Sequence, residues 1–272
     1  MKRFISLALT VIVICTVLML ASCSKKKGEF RVGMECDYAP FNWTQAEPGE
    51  GTVPIAAGGH AGGYDVEIAK RIAEGLGREL VIVKTEWDGL TPALTSGRID
   101  AIIAGMSPTE ERKQTVDFSL PYYDSDLVIV VAKDGPYASA ASLSDFSGAK
   151  ITGQLNTFHY TVIDQIPGVQ LQTAMETFPT MIVALTSGRI DGYVSERPGA
   201  ISAAASNPGL TFVEFSSGGG FTYAPEEVEI AVALVKNSKD LAKINEIIKG
   251  ISQDERDTYM INALKNQPAA EE

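Results

Sequence analysis

The octapeptide "ALTSGRID" occupies residues 93–100 and recurs letter for letter at 184–191. In both places a helix-like apolar pattern runs into Ser-Gly, and Ile-Asp then leads into a short apolar run. Each copy therefore reads as a helix end, a glycine turn and a strand start. Upstream of the first copy, "FRVGME" is a short strand and "GGYDVEIAKRIAEGLGREL" a helix, with Asp65 at its N-cap and apolar positions at Val66, Ala69, Ile72, Ala73 and Leu76. Gly77 stops that helix, and "LVIVK" follows as a buried strand. A helix through Leu90 and Leu94, ended by Gly97, precedes the strand "IDAIIAG". The same grammar restarts near Lys150: strand "AKITGQL", capped helix "NTFHYTVIDQI", helix "TFPTMIVALTSG", strand "RIDGYV". Strand and helix alternate throughout, which predicts an α/β architecture of two similar lobes. Open sheets of this kind take their ligands beyond the carboxyl ends of the strands, so two lobes facing each other form a cleft.

Composition narrows the function classes. The 272 residues are 45% hydrophobic and 21% charged, enough for one large or two modest cores. The net charge of -11 repels nucleic acid and anionic lipid. "MKRFISLALTVIVICTVLMLASC" has two leading cations, an apolar run and small residues at its end, the layout of an export signal. Leu20-Ala21-Ser22-Cys23 resembles a bacterial lipobox, in which Cys23 would be acylated and become the mature N-terminus; an uncleaved helix or a plain signal peptide are the alternatives. Loss of Lys2 and Arg3 with that leader takes the charge from -11 to -13. "SKKKGE" then reads as a tether. Cys15 leaves with the signal and Cys23 with the lipid, so Cys36 has no disulfide partner and is expected to be a packed thiol.

One segment reads as a binding site. In "SPTEER", Ser107 suits an N-cap, Pro108 the first helical position and Glu110 a capping box, with Arg112 one turn on. Helix amides and a guanidinium fork together suit a carboxylate, although a surface Arg112 paired with Glu111 would read the same way. "AAGGHAGG" lacks the lysine and spacing of a phosphate loop and reads as a flexible connection, and no metalloprotease or nucleophile-elbow motif occurs.

Three stretches carry a family resemblance: "VGMECDYAPFNW", "GGYDVEIAKRIAEGLG" and "IDAIIAGMSPTEERKQTVDFSLPYY". In that order they resemble the extracellular solute-binding proteins of polar amino-acid ABC transporters, family 3, over Phe30 to Leu264. The resemblance implies a two-lobed periplasmic-binding-protein fold of type II, each lobe a mixed sheet flanked by helices. Two crossings join the lobes, near Tyr122 to Asp126 and near Glu229 to Val232. Residues 1–22 would be signal, 23–29 tether, 30–123 and 231–272 lobe one, and 124–230 lobe two.

The same resemblance assigns roles. Arg112, Ser107 and the backbone of Ala104, Gly105 and Met106 would hold the amino acid's carboxylate and amine from lobe one. Thr157, with Asn156 beside it, would add a carboxylate contact from lobe two. Glu196 would receive the ammonium where the family usually has Asp. Glu35 would meet a cationic side chain between the aromatic walls of Tyr38 and Trp87, which favours arginine or lysine; glutamine and histidine are the alternatives. No cofactor, metal or catalytic group is implied. The partners are a free L-amino acid, a membrane permease and, through Cys23, the membrane, and the protein is expected to be an exported, cell-surface or periplasmic monomer. A dehydratase-like enzyme and a non-transporting receptor are the rival classes.

Overall fold

The computed structural model describes residues 28–216 and 218–268. Residues 1–22, expected to be a leader, and Cys23 lie outside them, so the export and lipidation expectations fall outside the described residues. Lobe one is built on strands β1 (Glu29–Met34), β6 (Glu79–Lys84) and β7 (Ala101–Ile102), parallel to one another, with β14 (Glu229–Val235) and β8 (Val116–Asp124) completing the sheet in the order β6-β1-β7-β14-β8. Lobe two repeats the plan: β10 (Lys150–Thr152), β11 (Gln170–Leu171) and β12 (Gly192–Glu196) are parallel, and β9 (Leu127–Ala132) and β13 (Leu210–Val213) close the sheet as β11-β10-β12-β9-β13. Helices α1 (Tyr64–Leu76) and α2 (Trp87–Thr95) flank the first sheet, and α5 (Phe178–Thr186) and α6 (Arg197–Ser206) the second.

The two octapeptides adopt one structure. Gly97 and Gly188 take left-handed φ values of 75° and 71°. Arg98 N and Arg189 N each donate, over 2.9 Å, to the carbonyl of the alanine that opens the repeat. Asp100 then exchanges hydrogen bonds with the strand beside it: its Oδ2 accepts from Arg31 N at 2.8 Å and its N–H donates to Arg31 O at 2.7 Å. Asp191 makes the same pair with Lys150, both at 2.8 Å. The conserved letters are those the junction requires: glycine for the backbone reversal, alanine as acceptor and small packing residue, and aspartate to fasten β7 or β12 to its neighbour.

The lobes are joined by paired extended segments. β8 leads into β9 with two residues between them, and β14 returns beside it, Glu229 opposite Asp124 and Ile230 opposite Tyr123. The C-terminal helices α8 (Leu241–Lys249) and α9 (Gln253–Asn266) pack back on lobe one, Ile244 and Ile248 entering the core that holds Phe30, Val32, Ile68 and Ile72. Beyond α9, Gln267 accepts from Ser202 of α6 at 2.6 Å and so also touches lobe two.

Several local expectations are corrected. Asp65 is not the cap of α1; Gly63 is, and Asp65 is buried in the first turn. "NTFHYTVIDQI" is not one helix but α4 (Phe158–Thr161) followed by a 3₁₀ turn over Val162–Gln165. "AAGGHAGG" is not a flexible connection, because His60–Gly62 form β5, paired with β3 (Asn42–Gln45) and β4 (Val53–Pro54) in a small sheet that β2 (Asp37–Tyr38) extends. Glu29, assigned to the tether, is the first residue of β1.

Candidate functional site

The first-lobe loops are fixed by a buried carboxylate. Asp65 accepts from Tyr122 Oη at 2.7 Å and Asn42 Nδ2 at 2.8 Å, and the Gly105 amide also turns to it. Asn42 Oδ1 in turn accepts from Cys36 N at 2.7 Å. One acid thereby ties together the Glu35–Tyr38 segment, the Ala104–Ser107 loop and the β8 crossing. Gly105 has φ 63°, and a Cβ there would lie 3.1 Å from the Tyr38 ring, so a side chain would displace the aromatic. Gly105 thus lies on the cavity side of this buried carboxylate. The Met106 side chain packs in the lobe-one core and its carbonyl accepts from Ala231 N at 3.0 Å.

Arg112 lies on a short helix, α3 (Glu110–Thr115). The cap is Thr109 rather than Ser107: Thr109 Oγ1 accepts from Arg112 N at 3.4 Å. The Ser107 carbonyl is taken instead by Thr109 N and by Arg112 Nη1, both at 3.0 Å, so it cannot open the helix ladder, and Glu110 pairs with Lys113 rather than closing a box. The carboxylate receptor accordingly rests on the guanidinium more than on helix amides. That guanidinium also donates across the cleft to Asn156 O at 3.2 Å and sits 5.2 Å from the Trp87 ring centroid. It has no acidic partner among the described residues, and loss of surrounding water lowers its pKa to about 10.

Lobe two supplies the opposite wall. Asn156 has φ 56° and gives its side-chain amide to Asp88 of lobe one at 2.9 Å. Thr157 caps α4 by position while its hydroxyl donates to Gln154 O at 2.7 Å. Glu196 ends β12, buried, and its Oε1 lies 2.8 Å from His159 Nε2. Burial raises the Glu196 carboxyl to about 8 and lowers His159 to about 3, with Arg112 adding to the latter. Gln154 Nε2 reaches over to Glu35 and donates to both its oxygens, at 3.2 and 3.1 Å. Burial raises Glu35 to about 7 even so, and Asp37 and Glu86 push the same way. Phe178, opening α5, stacks on Tyr38 with 4.0 Å between centroids.

Seven of the expected residues line one cavity: Tyr38, Trp87, Ala104, Gly105, Ser107, Arg112 and Thr157. Gln154, Phe158, His159 and Glu227 line it too. Its volume is 20 Å³, about the room of one water, so the lobes must part to admit anything larger. Glu35 and Glu196 stand just behind it, held by Gln154 and His159 respectively, and Asn156 faces the outer cleft with Thr109, Glu110 and Glu111. Beyond Trp87 a second space of 170 Å³ is bounded by Glu86, Asp88, Leu155 and Glu176. Gln154, His159 and Phe178 were not anticipated. Gln154 and His159 flank the anticipated Asn156 and Thr157, but nothing in the sequence says that both face the cleft. Cys36 is a buried thiol pushed up to about 12, as expected of a packed one. Among the described residues no three acidic, histidine or cysteine side chains are grouped to hold a metal.

Residues 30–260 match the model of the bacterial extracellular solute-binding proteins, family 3. A probable histidine-binding protein of Campylobacter jejuni is 31% identical, over 97% of this chain and 98% of its own. The L-cystine-binding protein TcyJ of Escherichia coli is 32% identical, over 85% of this chain and 80% of its own. A crystal structure of an amino acid ABC transporter substrate-binding protein from Streptococcus pneumoniae, bound to L-arginine, aligns with TM-score 0.76 and 29% identity, over 88% of this chain and 95% of that one. No described helix is long and apolar enough to cross a membrane.

Proposed function

Because the chain belongs to the bacterial extracellular solute-binding proteins of family 3, we propose that it binds a free L-amino acid between its lobes and delivers it to the permease of an ABC importer. The observation that carries the reading is Arg112. It is a cation withdrawn from water, supported by backbone carbonyls of both lobes, Ser107 O and Asn156 O, and in salt bridge with no described acid, although Glu111 acts on it from a distance. A ligand carboxylate is the group such a fork lacks. Ser107 and Thr157 lie on the same cavity and extend that contact, and Glu196 takes the ammonium from lobe two. Ligand then favours the closed form by the contacts it makes to both lobes at once. The lobes divide at 123–124 and again at 230–231, within the paired crossing segments.

The side chain we assign is basic, arginine or lysine. Glu35 is a buried carboxyl whose proton a cation would displace, Tyr38 and Trp87 flank the route to it, and Glu86, Asp88 and Glu176 beyond make the surroundings acidic. Histidine or glutamine is the second reading, favoured by Gln154, whose neutral amide already satisfies Glu35. The protein acts without catalysis, as a monomer anchored through Cys23. A thermal-shift screen of the chain from Ser24 onward against the twenty amino acids tests this, since a ligand raises apparent stability by mass action. Arginine or lysine should give the largest shift, and Arg112→Ala should abolish every shift; stabilisation that survives in that variant contradicts the reading.

A further inference from the structure

We propose that His159 and Glu196 form a single proton-holding pair, and that capture of the ligand's α-ammonium releases one proton from it to solvent. The inference rests on the reading of Glu196 as the ammonium's partner. Both side chains are buried, their Nε2 and Oε1 atoms are 2.8 Å apart, and their remaining polar atoms, His159 Nδ1 and Glu196 Oε2, have no hydrogen-bond partner among the described residues. The Tyr38 hydroxyl, on the same cavity as His159, likewise has none. Buried polar atoms are seldom left so, and two of them on one hydrogen-bonded acid–imidazole pair, with a third on the cavity that His159 lines, mark where a polar ligand group is received.

The proton balance follows from the geometry. Before binding, the Glu196 carboxyl is protonated on Oε1 and donates to His159 Nε2, and the ring's own hydrogen is on Nδ1. After binding, the ammonium lies on Oε2 and Glu196 is a carboxylate. The ring hydrogen is then on Nε2, donating to Oε1, and one proton has gone to water. Only O–H and N–H bonds change. A partner on Nδ1 would lock one tautomer, and the absence of one leaves the ring able to serve as acceptor in the first state and donor in the second. His159 is therefore a positioning residue that satisfies Glu196 in both states.

Retention of the proton as an imidazolium is opposed by the other groups present. Besides His159, the charged and titratable side chains on the cavity are Arg112 from α3, Tyr38 from β2 and Glu227 from the short helix α7 (Pro225–Val228) before β14. Arg112 disfavours a second cation beside it, and the Glu227 carboxylate is engaged as acceptor of Ala224 N at 2.8 Å. Arg197, next in the chain to Glu196, is spent on Glu214. Burial holds the imidazole neutral and the carboxyl protonated near neutral pH, which agrees with the first state.

The test is isothermal titration, near pH 7, of the amino acid identified by the thermal-shift screen, in two buffers of different ionisation enthalpy. The α-hydroxy analogue shares any proton that Glu35 gives up to a basic side chain but can accept from the protonated Glu196, so the expected result is a buffer-dependent heat in which the amino acid releases close to one proton more than that analogue. The ratio of their affinities should shift toward the amino acid by about ten-fold per pH unit between about pH 6 and 7.5. His159→Phe keeps a ring against Phe178 but removes both nitrogens; it should weaken binding at neutral pH and move the pH dependence upward, and His159→Gln should restore part of the affinity. Amino-acid binding that releases no more protons than the α-hydroxy analogue, at a pH-independent affinity ratio, overturns this inference alone. Failure of every amino acid to bind overturns it together with the ligand reading.

Discussion

In the proposed reading, Glu35 sets what the cleft prefers. Its two oxygens are bonded by the Gln154 amide, a neutral donor, and a charged donor in its place makes a stronger bond. Glu35→Gln should therefore weaken arginine and lysine by about 1.5–3 kcal/mol, the scale of a hydrogen bond to a charged group, and leave neutral amino acids nearly unchanged. Equal losses for all ligands, measured by titration calorimetry, would reject the assignment. Glu196 makes a second prediction, about stability. Its pKa is raised from 4.5 to about 8, so its contribution is full below about 4.5 and is lost as pH rises through about 8. His159 behaves oppositely: lowered from 6.5 to about 3, its contribution is present above 6.5 and lost as pH falls toward 3. Between 6.5 and 8 the buried carboxyls dominate, so the melting temperature of the ligand-free protein should fall across that window, less steeply in Glu196→Gln. At this scale the sequence pointed to Arg112 from its own residues and to Glu35 and Tyr38 through a resemblance, and it missed Gln154 and His159. Their roles come from which groups stand opposite across the cleft, and local pattern carries no such information.

The helix-turn-strand junction was the most legible element, because every requirement on it is local. A left-handed residue, an acceptor one turn back and an acid for the neighbouring strand all fall within eight letters, twice. Gly97 and Gly188 have open space where a Cβ would go, so Gly→Ala at either tests backbone conformation alone. Each substitution should cost about 1–2 kcal/mol in denaturant unfolding, the penalty of an L-residue in the left-handed region, without altering ligand affinity. No loss would mean the turn has another conformation. Caps were less legible. Ser107 and Asp65 are good capping residues by type, yet the first has its carbonyl drawn to Arg112 and the second is taken into the core by Tyr122 and Asn42. At Asp65 tertiary hydrogen bonds overrode local preference, and at Ser107 a side chain five residues on took the carbonyl that the helix ladder needs.

For the whole molecule, two lobes with paired crossings were legible from the repeated strand-helix grammar together with the resemblance, while their approach to one another was not. Along the cleft, among the described residues, Gln154 meets Glu35, Asn156 meets Asp88, Arg112 reaches Asn156 O and Tyr38 stacks on Phe178, while Gln267 and Ser202 meet outside it. Under the proposed reading a ligand exchanges the cleft contacts of Glu35, Arg112 and Asn156 for its own. Anchoring belongs to this scale too: Cys23→Ser should move the protein from the membrane fraction to the soluble one, and retention would contradict the lipid assignment. The central claim is that a zwitterion is held at its two poles by opposite lobes. The most direct measurement is calorimetric titration of the preferred amino acid beside its decarboxylated amine, which keeps the side chain and ammonium but has nothing for Arg112. The amine should bind at least about thirty-fold more weakly, since leaving a buried charge unpaired costs roughly 2 kcal/mol or more. Equal affinities would contradict the claim.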